Sequence, residues 1–236
     1  MPINIPAASE VPVSGGTTSG TLKLGKNGVF RDQLLAASGR TNIDPAALAS
    51  LIDAEAAKIN GVWNPNSKAS TSSASGLTQF LKGTWRQMAG TAGTLLNETG
   101  VQNGLVVMSG NSFSVPSDNL QALLDLRFDP LQSITAAAEY GVQNLNFLVG
   151  KSVIAPNISD DKRAWFMYLA HHEGPQGAAD AIKGTLSVSK SKWNGNVPGS
   201  ERTKFLQEAG GNISEAYRRW LFAYADRKIV PSRFRI

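Results

Sequence analysis

Asp44-Pro45-Ala46-Ala47-Leu48-Ala49-Ser50-Leu51-Ile52-Asp53-Ala54-Glu55-Ala56-Ala57-Lys58-Ile59 is the stretch from which the rest of the chain is read. Asp44 is a natural helix cap and Pro45 suits a first turn. The alanines and leucines that follow have high helix propensity, so the stretch predicts a helix. Leu48, Leu51, Ile52, Glu55 and Ile59 share one face by the i, i+3, i+4, i+7 rhythm. Glu55 therefore stands where an apolar residue is expected. A carboxylate in such a place is partly desolvated, and desolvation favours the protonated form that a general acid needs. Glu55 is the candidate general acid. The plainer alternative is a solvated helix pair with Lys58, three residues on.

The 236 residues, 42% hydrophobic and 8% aromatic, can bury a sizeable core as one domain or two lobes. There is no cysteine, which excludes a disulfide framework, a thiolate metal site and a cysteine nucleophile. A net charge of +5 suits an anionic partner such as nucleic acid, a membrane surface or an acidic wall polymer, and it is too dispersed to select among them. No apolar run reaches the roughly 18 residues of a membrane-spanning helix. Residues 1–13 lack the basic start and continuous apolar core of a secretory signal, so a target outside the cytoplasm implies another delivery route.

Residues 1–25, rich in Pro, Gly, Ser and Thr, predict a disordered leader ahead of a domain spanning 26–236. A short helix is expected over Val29 to Ser38, before the Glu55 helix. The loop from Asn60 to Gly76 is dense in hydroxyl and amide groups, which suit sugars, although Ser and Thr in loops mostly solvate and cap. Leu77, Phe80, Leu81, Trp85 and Met88 are spaced as helix, with a break at Gly83-Thr84. Residues 90–119 turn to Gly, Asn, Thr and Ser, and read as an insertion with a small β-hairpin over Leu105–Met108 and Ser112–Val115. Asp129 and Ser159 cap two further helices. The second carries Trp165, Phe166, Tyr168 and Leu169, and is expected to close at His171-His172-Glu173-Gly174-Pro175. Trp193 to Gly199 reads as loop. Asn212 with Glu215 predicts a capping box for a last helix carrying Tyr217, Trp220, Leu221 and Tyr224, with a basic end at Arg218, Arg219, Arg227, Lys228, Arg233 and Arg235. His171-His172-Glu173 is a poor metal motif, because adjacent helical residues point about 100° apart. No metal or cofactor is expected.

Glu55, Ser70, then Ser73-Ala74-Ser75-Gly76-Leu77-Thr78-Gln79-Phe80, then Ala170-His171-His172-Glu173-Gly174-Pro175 with Gly177-Ala178, occur in this order. In this the chain resembles the soluble lytic transglycosylase and goose-type lysozyme family, most closely the transglycosylase-type lysins of large bacteriophages. The resemblance runs from about residue 30 to 230 and is weakest over the 90–119 insertion. It implies a mainly α, lysozyme-like helical domain with a small β-hairpin insertion. Glu55 would be its single catalytic acid, with Ser70, Ser73 and Gln79 along the glycan groove. Thr78 stands where Met is common, and His171-His172 where Tyr-Asn is usual, although phage relatives also place a His first. Gln176 is an extra residue before Gly177. These departures bear on the groups that orient the acid; Tyr168 and His171, three apart on one helix, could reach the acid or the sugar, and with Glu173 they are candidate substrate-binding residues.

The resemblance implies cleavage of the β-1,4 bond between N-acetylmuramic acid and N-acetylglucosamine in peptidoglycan, with formation of a 1,6-anhydro ring. The alternative is a muramidase, which activates water and usually needs a second acid. Asp53 and Glu173 are the available residues, and Asp53 lies about 200° round the helix from Glu55. Two other classes remain open. A glycan-binding or virion structural protein would keep the fold without turnover. A nucleic-acid binder would need a basic stripe with interleaved aromatics, which the chain lacks, so no nucleic acid is expected as a partner. The expected partners are glycan strands of the wall and, through the basic C-terminus, an anionic envelope, with the protein a monomer. A phage lysin released by a holin, a virion enzyme and a secreted effector all fit.

Overall fold

A computed structural model describes residues 22–236. In chain order the elements are α1 (Arg31–Thr41), α2 (Pro45–Glu55), the hairpin β1 (Lys58–Ile59) and β2 (Val62–Trp63), α3 (Lys82–Ala89) and α4 (Leu95–Gln102). The hairpin β3 (Val107–Ser109) and β4 (Ser112–Ser114) follows, then α5 (Leu120–Asp125), α6 (Pro130–Gly150), α7 (Asp160–Lys183), α8 (Lys190–Asn196), α9 (Gly199–Glu208) and α10 (Ile213–Lys228). The fold is mainly α-helical, with two small antiparallel two-stranded sheets. Among the described residues no helix is long and apolar enough to cross a membrane.

The caps act as their residue types dictate. Asp44 accepts the Ala47 N–H at 2.8 Å, Asp129 that of Gln132 and Asn212 that of Glu215. The box expected at Asn212 is half made, because the Glu215 carboxylate turns to Arg218 and Arg219. Helix α2 is more deeply placed than its single apolar face suggests: Ala46 to Ile52 are all buried. Its alanines and Ser50 let neighbours approach on every side, α7 and α10 among them, and Ser50 also accepts the Val230 N–H at 2.7 Å. Helix α6 packs against α1, α4 and α7. Its Glu139 meets Arg40 of α1 and the Leu95 N–H at the start of α4, which ties the 90–119 segment to the core.

Several expectations are corrected. The leader, expected over 1–25, lies outside the described residues as far as 21, but Leu22 and Leu24 are buried and Lys23 N–H bonds Phe234 O at 2.9 Å. Helix α1 runs to Thr41 and stops on Asn42 in the left-handed conformation, beyond the expected end at Ser38. Leu77 to Leu81 form turns and a bridge, and Gly83-Thr84 lie inside α3 without breaking it. The 90–119 segment contains α4 besides the expected hairpin. Trp193 to Asn196 are helical, because burial of Trp193 against the core outweighs the low propensity of Asn and Gly around it.

Candidate active site

Glu55 is the last residue of α2, half-buried where that helix reaches the surface. The alternative partner, Lys58, pairs instead with Asp53, at 3.0 Å from its carboxylate. Asp53 also accepts the Trp63 indole N–H at 2.8 Å. Trp63 is buried against Phe30 and carried on the β1–β2 hairpin, whose turn is Asn60-Gly61. Asp53 is thereby committed to the hairpin. Among the described residues no salt bridge involves Glu55.

The neighbours of Glu55 come from α7 and α10. Burial and then the Glu55 charge push the Tyr168 phenol far above its ordinary range, and the same two causes raise Tyr224. Both phenols remain protonated. Their rings stack with centroids 6.2 Å apart. From there the aromatic wall continues through Trp220, 5.3 Å from Tyr224, to Tyr217, 5.5 Å further on. His172 lies against the same wall, 6.1 Å from Tyr168 and 6.2 Å from Trp220. Tyr168, Trp220 and Tyr217 are buried, so the parts open to a ligand are Glu55, Tyr224 and His172. Lys228 lies over the Tyr224 ring and adds a positive fringe.

At the far end of the wall stands Glu173. Its side chain has 0% exposure and accepts from His172 Nδ1, Lys192 Nζ and the Tyr217 hydroxyl. Burial alone would raise its pKa, but these three donors outweigh burial and hold it down at about 2. The helix carrying Tyr168 closes at Gly174-Pro175 as expected, and a second helical segment runs on from there to Lys183, so that α7 is two helices joined across a kink. It breaks at Gly174, whose φ of 75° and ψ of 161° are essentially open to glycine alone.

The loop between β2 and α3 brings the small-residue motif to α7. A Cβ on Gly76, where φ is +78°, would overlap the carbonyl oxygen of Arg127, so glycine is required. Arg127 in turn clamps the loop by donating to Ser73 O at 2.7 Å and Phe80 O at 3.2 Å. Gln79 is half-buried with φ of 49°, and its amide donates to Ser67 Oγ and Gly76 O. Ser73 Oγ accepts the Lys82 N–H at the start of α3, and Ser70 is exposed. His171 Nε2 donates to Thr78 O at 2.9 Å, and its ring meets Phe80 and Tyr140 edge-on. His171 thus joins the loop to α7.

The structure therefore brings Glu55 and Tyr168 together, sets Gln79 and His171 in the adjoining loop contact, and encloses the Glu173 side chain. Arg127, His172, Trp220 and Tyr224 were not singled out for the site by the sequence reading. The spacing of Tyr217, Trp220 and Tyr224 signals one helical face, though not that it turns toward Glu55. A hollow of about 350 Å³ between α3 and the β3–β4 hairpin, lined by Arg86, Phe113 and Val115 among others, contains none of the site residues. No protein-family model matches the chain, and no curated protein matches it.

Proposed function

We propose that the chain is a lysozyme-like peptidoglycan lytic transglycosylase that cleaves the bond between N-acetylmuramic acid and N-acetylglucosamine, with Glu55 as its acid and base. The observation that carries this reading is the contrast among the nearby acids. Asp53 is spent on Trp63 and Lys58, Glu173 is spent on three donors, and Glu55 alone has no ionic partner. Protonated Glu55 gives its proton to the leaving glycosidic oxygen, while the N-acetyl group of the substrate stabilises the anomeric carbon. Glu55, now a carboxylate, takes the proton of the muramic 6-hydroxyl as that oxygen closes the 1,6-anhydro ring. In this reading Tyr168 and Tyr224, held protonated, would donate hydrogen bonds to that carboxylate between the two steps. The resemblance in sequence supports the same assignment through Glu55, the Gly76-Leu77-Thr78-Gln79 turn and the Gly174-Pro175 break. In this reading the enzyme serves cell lysis or wall penetration.

The test is mass spectrometry of the soluble muropeptides released from purified peptidoglycan by the wild type and by Glu55→Gln. Anhydro-muropeptides from the wild type and none from the variant are expected. Reducing muropeptides would make the protein a muramidase. No release by either protein would leave a glycan-binding or structural role.

A further inference from the structure

His172 bonds the enclosed Glu173 through one ring nitrogen and keeps part of its ring at the surface. We propose that Glu173 is a positioning residue that fixes the tautomer of His172, and that His172 Nε2 is the acceptor for a sugar hydroxyl beside Glu55. This rests on the glycan-cleaving reading above.

An ionised carboxylate can only accept hydrogen bonds, so the 2.9 Å contact with Glu173 Oε1 puts the proton on His172 Nδ1. In the neutral ring Nε2 is then left with its lone pair. The orienting carboxylate is itself immobile. Tyr217 of α10 holds the same oxygen, Lys192 of α8 holds the other, and a Cβ on Gly177 would stand 3.1 Å from Glu173 Cβ. Three helices and the break at Gly174 thus converge on one enclosed side chain, and the imidazole is one of its two contacts that reach the surface, Lys192 being the other. His172 keeps 22% of its side chain exposed, and among the described residues its Nε2 has no hydrogen-bond partner. His171, the adjacent residue, spends its own Nε2 on Thr78 O and has no such freedom.

The position selects the ligand class. His172 is backed by Trp220 and Tyr168, and Tyr168 is the neighbour of Glu55. Trp220 and Tyr168 are themselves buried, so what is offered to a ligand beside Glu55 is the His172 acceptor edge together with the Tyr224 ring that stacks on Tyr168, a pairing that a sugar ring, with apolar faces and hydroxyl donors, satisfies. A purely structural cluster would tie α7, α8 and α10 together equally well with the imidazole edge covered.

The experiment is nitrogen-15 NMR of the imidazoles in the full-length Glu55→Gln protein, which blocks turnover, with and without a GlcNAc-MurNAc tetrasaccharide. His172 is expected to be protonated at Nδ1 in its neutral form, and its Nε2 signal is expected to move when the glycan is added. Glu173→Gln should swing it toward the Nε2–H tautomer. His172→Ala, which leaves the Glu173 contacts to Lys192 and Tyr217 in place, should weaken tetrasaccharide binding roughly 3- to 10-fold, the worth of one hydrogen bond. An Nε2–H tautomer in the parent protein overturns the positioning role. A correct tautomer with an unmoved Nε2, while the Tyr224 ring signals respond, overturns the hydroxyl contact and leaves the proposed function intact. If no signal responds to the glycan, the contact falls together with the proposed function.

Discussion

Glu55 and Glu173 are the same residue at opposite ends of one aromatic wall, and they have opposite surroundings. Glu55 ends a helix that is buried from Ala46 to Ile52, and it emerges half-exposed near two phenols and without an ion pair. Glu173 ends the first part of a broken helix, is enclosed, and accepts from a histidine, a lysine and a tyrosine. A carboxylate held by three donors stays ionised and stays still. Glu55 has no such set of partners, which is why the proposed reaction is assigned to it. The division of labour follows from hydrogen-bond partners rather than from burial, because the more deeply buried acid is the one that remains charged.

Removing the free acid should produce the largest effect. Glu55→Gln is expected to lower muropeptide release by about 10²- to 10⁴-fold, the usual contribution of a general acid, while urea midpoints stay unchanged. Equal losses of stability and activity would erase the contrast. Glu173→Ala should do the reverse in kind, costing roughly 3 kcal/mol in chemical denaturation because the buried Tyr217 hydroxyl loses its acceptor. Acid should reveal the same term. The folded pKa of Glu173 lies below its unfolded value, so its contribution is complete above about 4.5 and is lost as pH falls through about 2. The stability gap between wild type and Glu173→Gln should therefore be near 3 kcal/mol at pH 6 and shrink toward zero near pH 2. A gap that persists in acid would mean that the carboxylate is not held as its contacts imply. Gly174→Ala should cost about 2 kcal/mol, read from thermal unfolding, since its backbone conformation is strained for any other residue. The smallest effect belongs to Lys58→Ala, which should change stability by less than about 0.5 kcal/mol and leave muropeptide release intact. A loss of release there would return Glu55 to a paired state.

What could be read from the sequence was what local chemistry decides. Asp44 with Pro45, Asp129 with Pro130, and Ser159 each mark a helix start that the structure keeps, and Glu55 is legible as an acid within such a helix. One local signal was present and passed over: Asn60-Gly61 between short apolar segments is a hairpin dipeptide, and the hairpin it makes is what removes Asp53 from contention. The rest depends on distant partners. Nothing near Arg127 announces that it holds Ser73 and Phe80, 54 and 47 residues away. Trp193 is helical because of what it packs against, and the neighbouring Asn194 and Gly195 point the other way. The roles of His172 and Glu173 are set by Lys192 and Tyr217, which reach them from other helices.

Helix α2 has a consequence for how the protein fails. From Ala46 to Ile52 its amides are shielded on every side, and Ala56 N–H is still bonded to Ile52 O at 2.8 Å. Such amides exchange with deuterium only when the whole domain opens, whereas the Ser70 to Ser73 loop is exposed and exchanges through local fluctuations. The proposed acid therefore follows directly on a segment expected to exchange slowly, and its mounting should outlast the fluctuations of the loop beside it.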